Sequence, residues 1–229
     1  MFKKMKEFFQ LLGLNIIVAQ RDAVEFLRVV WRYYSKMTFL RVDVSLMLKY
    51  LFCSPFRVSK RYLMSKGEKD IYTYGETPLT TMEKIAEECG IKDADVVFEL
   101  GCGRGRICFW LNTFIGCQVV GIDRVPLFIA NAREVKKRWH VTGVQFRHED
   151  ILNSDLDGAT VLYLYGTSLS DQDITTLAKN FAQLPQGTRI ITVSYALSEY
   201  VGEDDFEIMR LFPVRFPWGQ TDVYLQVRK

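Results

Sequence analysis

One acid, three glycines and an arginine fall between positions 99 and 106: Glu99, then Gly101, Gly103 and Gly105, then Arg106, inside the run "VFELGCGRGRICFWL". An apolar strand that breaks into glycines and restarts as a helix aims backbone N–H groups at a ligand, an arrangement suited to nucleotides. Two nucleotide classes compete for it. A dinucleotide fingerprint, G-x-G-x-x-G, needs a third glycine so that the helix can pack on the strand, and Arg106 occupies that place. The Glu99 carboxylate would also oppose an anionic pyrophosphate. S-adenosylmethionine, which carries an ammonium and a sulfonium, would instead gain from that acid. The residues favour methyl transfer over hydride transfer.

Two further acids recur at strand ends. Asp123 closes "CQVVGID" 24 residues after Glu99, where its carboxylate can accept hydrogen bonds from both ribose hydroxyls. Arg124, next to it, is grouped with it as a cofactor contact. Asp150 and Ile151 follow "VQFRHED": the aspartate side chain suits an exocyclic adenine amine, and the next backbone N–H suits a ring nitrogen. Upstream, "YTYGETPLT" (72–80) has two readings. It is a turn in which Thr77 caps a helix with Pro78 at its first position. Alternatively, Tyr74, Glu76 and Thr77 close over the methionine end of the cofactor, with Glu76 facing its ammonium. Beyond the fourth strand, Tyr165 is placed to line an acceptor channel, with Thr167 and Ser168 as polar contacts and Tyr195 as a weaker candidate.

The elements that position these groups follow from periodicity. From residue 78 onward, short apolar runs alternate with amphipathic ones: strands at 94–100, 117–123, 144–150, 159–165 and 188–196, with helices before the first and between all but the third and fourth. The last 22 residues read as two strands joined through Gly219-Gln220, hence antiparallel. This predicts an α/β fold with a doubly wound, mostly parallel sheet and an antiparallel edge. Residues 1–65 read as helical. Val24, Leu27, Val30, Trp31 and Tyr34 form an apolar stripe, and Arg21, Asp22, Glu25, Arg28, Arg32 and Lys36 lie opposite. A second helical run covers 42–52. The chain thus divides into an N-terminal helical extension (1–70) and a main domain (71–229).

Charge divides in the same way. Residues 1–70 hold 14 Lys/Arg against 6 Asp/Glu, and residues 71–229 hold 16 against 21. The basic segment suits docking or steering. The apolar run 8–19 after three lysines is 12 residues long, too short for the ~20 residues of a spanning helix. It has no small-residue cleavage site. Residues 1–65 therefore either pack on the domain or dock on a membrane surface or partner. Five cysteines without metal-site spacing read as free thiols of a reducing cytosol, giving a cytoplasmic, optionally membrane-associated protein with no metal site.

Over roughly residues 71–229 the chain resembles the class I S-adenosylmethionine-dependent methyltransferases. "ELGCGRGR" is similar to their first motif, "GID" to their ribose motif and "EDI" to their adenine motif. The resemblance implies a seven-stranded sheet and methyl transfer. "YGET" resembles the signature loop of the non-SET histone lysine methyltransferases, although "LYGTSLSD" (164–171) replaces their asparagine-phenylalanine motif. The C-terminal stretch is similar to small bacterial methyltransferases related to the mitochondrial lysine methyltransferases. Those relatives carry a membrane-associating N-terminal segment. Both likenesses imply a protein lysine as acceptor. A small-molecule acceptor and an inactive cofactor-binding interaction module are the alternatives. Nucleic acid is disfavoured, because the proline-aromatic tetrad of base-flipping enzymes is missing after the fourth strand.

Overall fold

The computed structural model describes residues 2–166, 169–202 and 204–229, with side chains from residue 18 onward. The main domain opens with α4 (Leu79–Glu88) and continues β1 (Val96–Leu100), α5 (Arg106–Phe114), β2 (Gln118–Asp123), α6 (Pro126–Arg138), β3 (Val144–His148), β4 (Val161–Leu164), α7 (Asp171–Phe181) and β5 (Arg189–Val193). It closes with the hairpin β6 (Phe206–Phe216) and β7 (Gly219–Arg228). The sheet order is β3-β2-β1-β4-β5-β7-β6, parallel through β5, with β7 antiparallel to both neighbours. The seven-stranded, doubly wound sheet is as expected. The hairpin turn is Pro217-Trp218 rather than Gly219-Gln220, because β7 already begins at Gly219.

Side-chain alternation along the central strands builds two cores. Val97 packs on the face covered by α4, α5 and α6, while Phe98 and Leu100 pack on the α7 face. Glu99 shares the face of Val97 and so points toward α5. Strand order reverses between β1 and β4, and this switch point is where a ligand crevice opens at the strands' carboxyl ends.

Three helices precede this domain: α1 (Phe2–Tyr33), α2 (Met37–Lys49) and α3 (Pro55–Ser65). The helical run expected at 42–52 ends at Lys49. A separate helix starts at Pro55, with the Ser54 side chain accepting from Arg57 N. The extension joins the main core through Val29, Tyr33, Phe39, Val42 and Leu46.

The orientation of α1 inverts the sequence expectation. Val24, Leu27, Val30 and Trp31 are exposed, Trp31 by 81%. The face turned to the domain is Glu25, Val29, Arg32 and Tyr33, at i, i+4, i+7 and i+8. Glu25 and Arg32 come from the side that read as polar, Val29 and Tyr33 lie off the expected stripe, and Lys36 follows as the N-cap residue of α2. Each polar member has a partner across the interface. Glu25 accepts from Thr80 N and Oγ1, at 3.1 and 2.6 Å. Arg32 pairs with Glu83, and Lys36 donates to the Thr113 carbonyl. Tyr33 lies edge-on to Phe39, Trp110 and Phe114. Hydrophobicity alone chose the wrong face because the contact is built from one ion pair, hydrogen bonds to Thr80 and Thr113, and one aromatic cluster.

Candidate active site

The glycine loop is shaped by backbone geometry that side chains resist. Gly101, Gly103 and Gly105 all have positive φ, at 80°, 54° and 77°. A Cβ on Gly105 would sit 2.4 Å from the Phe146 ring, so this glycine lets α5 close against the sheet. Asp123 ties the loop to the end of β2: its Oδ2 accepts from Gly103 N at 2.8 Å and its Oδ1 from Val125 N at 2.7 Å. Burial pushes the Asp123 carboxyl up, and the two N–H donors oppose that.

Around this loop lies a cleft of about 340 Å³ whose lining includes Gly101, Asp123, Arg124, Asp150, Ile151 and Tyr165. Arg124 is held by Glu68 at 3.1 Å, and Asp150 caps its own turn by accepting from Leu152 N. Because β3 ends at His148, Asp150 and Ile151 sit in the following loop rather than on the strand. A narrow chamber of about 30 Å³ adjoins the cleft between Tyr74, Glu76, Thr77, Glu99, Gly103 and Gly105's neighbour Arg104.

The chamber holds an uneven set of charges. Tyr74 and Arg104 both hold Glu76, at 2.6 and 2.7 Å. Burial pushes Glu76 up, but Arg104, Tyr74 and Arg106 together more than offset it and the carboxyl stays below its ordinary range. Glu99 accepts from Cys108 Sγ at 2.8 Å, and burial pushes its pKa up to about 8. Thr77 does not cap α4. Pro78 takes the cap position, and the Thr77 hydroxyl bonds to Tyr163 at 2.6 Å instead. The capping role passes to Glu25, whose carboxylate reaches Thr80 N from α1.

Tyr165 stands in the wall of the cleft. Its hydroxyl accepts from Trp218 Nε1 at 2.9 Å, and its ring stacks on Phe216 at 4.8 Å. A Cβ on Gly75 would meet that ring at 3.1 Å. Thr167 and Ser168 lie outside the described residues. Tyr195 lies in the α7-side core against Tyr200 and does not line the cleft itself; its buried hydroxyl, without a hydrogen-bond partner among the described residues, sits directly behind Gly166 of the cleft wall.

S-adenosylmethionine fits these residues. The Arg104 Nε–H is buried without a hydrogen-bond partner beside the chamber, which suits a carboxylate there. Glu99 in the same chamber suits an ammonium, and Asp123 retains acceptor capacity for ribose hydroxyls. Among the described residues no cluster has the composition of a metal site, and no helix is long and apolar enough to cross a membrane.

Comparison with known proteins agrees with this geometry. A family model described as the ANTKMT methyltransferase domain matches residues 99–203. The chain is similar to the structure of an RNA methyltransferase from Salinibacter ruber in complex with S-adenosyl-L-homocysteine: 27% identity, TM-score 0.56, covering 67% of this chain and 94% of that one. The chain carries a class I S-adenosylmethionine-dependent methyltransferase domain. The same fold appears in magnesium protoporphyrin IX methyltransferase from Synechocystis PCC 6803, at 14% identity and TM-score 0.56, covering 77% and 98% of the two chains.

Curated relatives of this methyltransferase domain include an H3 lysine-79-specific histone-lysine N-methyltransferase from Dictyostelium discoideum, 26% identical over 157 residues. A sterol 24-C-methyltransferase from Kluyveromyces lactis is 28% identical over 82 residues. The chain matches 60% and 35% of its own length in these alignments but spans only 8% and 22% of those relatives. Sequence reasoning about the methyltransferase missed Arg104 and Asp43. Arg104 was legible only as a charge inside the glycine loop. Asp43 is fully buried and takes Arg106 Nε and an Arg106 terminal nitrogen at 2.7 Å each. Arg106 therefore stands in the third-glycine place to anchor α2, a reason invisible from spacing.

Proposed function

We propose that this methyltransferase transfers the methyl group of S-adenosylmethionine to the side-chain amine of a protein lysine. The observation that carries this reading is the placement of Tyr74–Thr77 across the donor chamber, with Glu76 on Arg104, Thr77 on Tyr163 and Gly75 against Tyr165. The ANTKMT family match and the histone-lysine relative support it. When bound, S-adenosylmethionine supplies a methyl carbon on a positively charged sulfur; as the nitrogen–carbon bond forms, sulfur keeps the electron pair of the broken bond.

The protein must then deliver an amine with a free lone pair. Deprotonating a lysine of pKa about 10.4 at pH 7 costs about 4.6 kcal/mol in water. Walls of Tyr165 and Trp218, backed by Phe216, disfavour the charged amine at the donor and offset part of that cost, with the proton released to solvent. Tyr165, fixed by Trp218 and Phe216, acts mainly by alignment. Asp123, Arg124, Asp150 and Ile151 hold the nucleoside, and Glu99 and Arg104 the amino-acid end. In the same reading the protein is cytoplasmic, and the exposed stripe of α1 docks it on a membrane surface.

The test is incubation of the purified chain with methyl-labelled S-adenosylmethionine and cognate lysate, then digestion with protease or nuclease and amino-acid analysis. Label lost from the macromolecular fraction only with protease, and recovered as methyl-lysine, is expected. Label confined to a metabolite fraction would replace this reading with a small-molecule acceptor, which the sterol methyltransferase relative favours.

A further inference from the structure

Tyr74, Gly75 and Tyr165 line not only the donor cleft but also a second cavity, of about 480 Å³, on the other side. It runs between α1, α3 and the β6–β7 turn. Phe26 of α1, Phe56 of α3 and Trp218 of the turn line it while 45%, 59% and 56% exposed. Open aromatic surface in a concave site marks a place that receives a ligand. The groove shares Tyr74, Gly75 and Tyr165 with the donor cleft as a common wall, so an occupant of the groove lies directly against the donor side.

Charge narrows the occupant. Asp22 and Glu25 of α1 both line the groove. Glu25 is already fixed at the N-terminus of α4. Asp22 has no ion-pair or hydrogen-bond partner among the described residues, and burial together with Glu25 pushes its pKa up. The two lining arginines are each matched by a carboxylate, Arg104 by Glu76, which also lines the groove, and Arg106 by Asp43. The remaining charge is negative. An anionic phosphate chain is disfavoured here, and a cation on an apolar stem is favoured.

We infer that this groove admits the acceptor as an alkylammonium, the side chain of a lysine on a protein segment. Its stem lies along Phe26, Phe56 and Trp218, and Asp22 and Glu25 select its charge. The inference rests on the lysine reading and adds to it that α1, outside the sheet domain, forms part of the acceptor site. Trp218 then has two tasks, lining the groove and fixing the Tyr165 hydroxyl.

The experiment uses the full chain labelled with 5-fluorotryptophan and saturated with S-adenosylhomocysteine. Nα-acetyl-lysine amide is titrated against its norleucine counterpart, and fluorine resonances are followed. The Trp218 resonance, assigned with Trp218→Phe, shifts saturably with the lysine amide alone, and buried Trp110 serves as the unmoved control. Asp22→Asn weakens that response about fivefold. No Trp218 response, an equal response to norleucine, or an unchanged Asp22→Asn would each overturn the inference. The lysine reading fails differently: the Trp218 response persists while no lysate protein takes label. Lysine labelling that continues undiminished in Trp218→Ala would sink the groove and leave the lysine reading standing.

Discussion

The two cavities that meet at Tyr74, Gly75 and Tyr165 are built in opposite ways. On the donor side, the floor is the carboxyl end of a parallel sheet, and the glycine loop with its Asp123 anchor is fixed by backbone hydrogen bonds. Asp123 holds Gly103 N and Val125 N, and the Gly101 and Cys102 amides donate to the Ile122 carbonyl. On the acceptor side, the walls come from α1, α3 and a two-residue turn. Besides the apolar contacts of Val29, Tyr33, Phe39, Val42 and Leu46, the helical extension is held to the domain by long-range polar contacts: Arg106 to Asp43 of α2, Glu25 to Thr80 and Arg32 to Glu83. Donor recognition is thus written into the sheet. Acceptor recognition hangs on attachments that can change without disturbing it.

The sharpest way to break that comparison is Arg106→Met. Asp43 is fully buried, and the substitution would leave it with the Tyr34 hydroxyl as its remaining partner. Removing one member of a buried pair costs about 3–5 kcal/mol. Urea denaturation should show a loss of that order. Hydrogen exchange should place the lost protection in α1–α3 while β1–β3 stay protected. A uniform loss across the sheet would mean that the two sides are one cooperative unit and the contrast is only geometric.

Next in size is Asp123→Ala. It removes two charge-assisted bonds that shape the loop and the carboxylate that faces the ribose. Calorimetry should show S-adenosylmethionine affinity falling by at least about 100-fold, or about 2.7 kcal/mol. Affinity within about threefold of the parent would remove Asp123 from the ribose role. Trp218→Phe in the same assay should change donor affinity far less than Asp123→Ala does, since Trp218 lines the acceptor groove and reaches the donor cleft only through the Tyr165 hydroxyl.

The donor side was legible in the sequence because its parts are local. Glycines at 101, 103 and 105 and acids closing consecutive strands announce themselves by spacing. The parallel order follows from strand–helix alternation. The acceptor side was not, since its contacts cross 50 or more positions. Arg106 meets Asp43 of α2, and Thr80 meets Glu25 of α1. Trp218 reaches Tyr165 across 53 positions. No periodicity encodes such meetings, and the apolar stripe of α1 pointed away from them. Thr77 shows the same limit on a small scale. Its position before Pro78 fits a cap, yet its hydroxyl goes to Tyr163, a partner 86 residues away.

The smallest effect tests whether the acid that first suggested a cationic ligand acts as one. Without ligand, the buried Glu99 carboxyl titrates near 8, against 4.5 for an ordinary glutamate. The folded chain therefore holds a proton that the unfolded chain releases between those values. The stability contributed by this group is full below pH 4.5 and is lost as pH rises through about 8. An ammonium seated against Glu99 favours the carboxylate, so donor binding should expel that proton. Affinity for S-adenosylmethionine then rises about fivefold from pH 7 to pH 8, and binding heats differ between buffers of unequal ionisation enthalpy. Glu99→Gln should flatten both. If the proton release persists in that variant, Glu99 is a buried partner of Cys108 and no more. The cationic end of the ligand would then be recognised wholly by the loop and by Glu76.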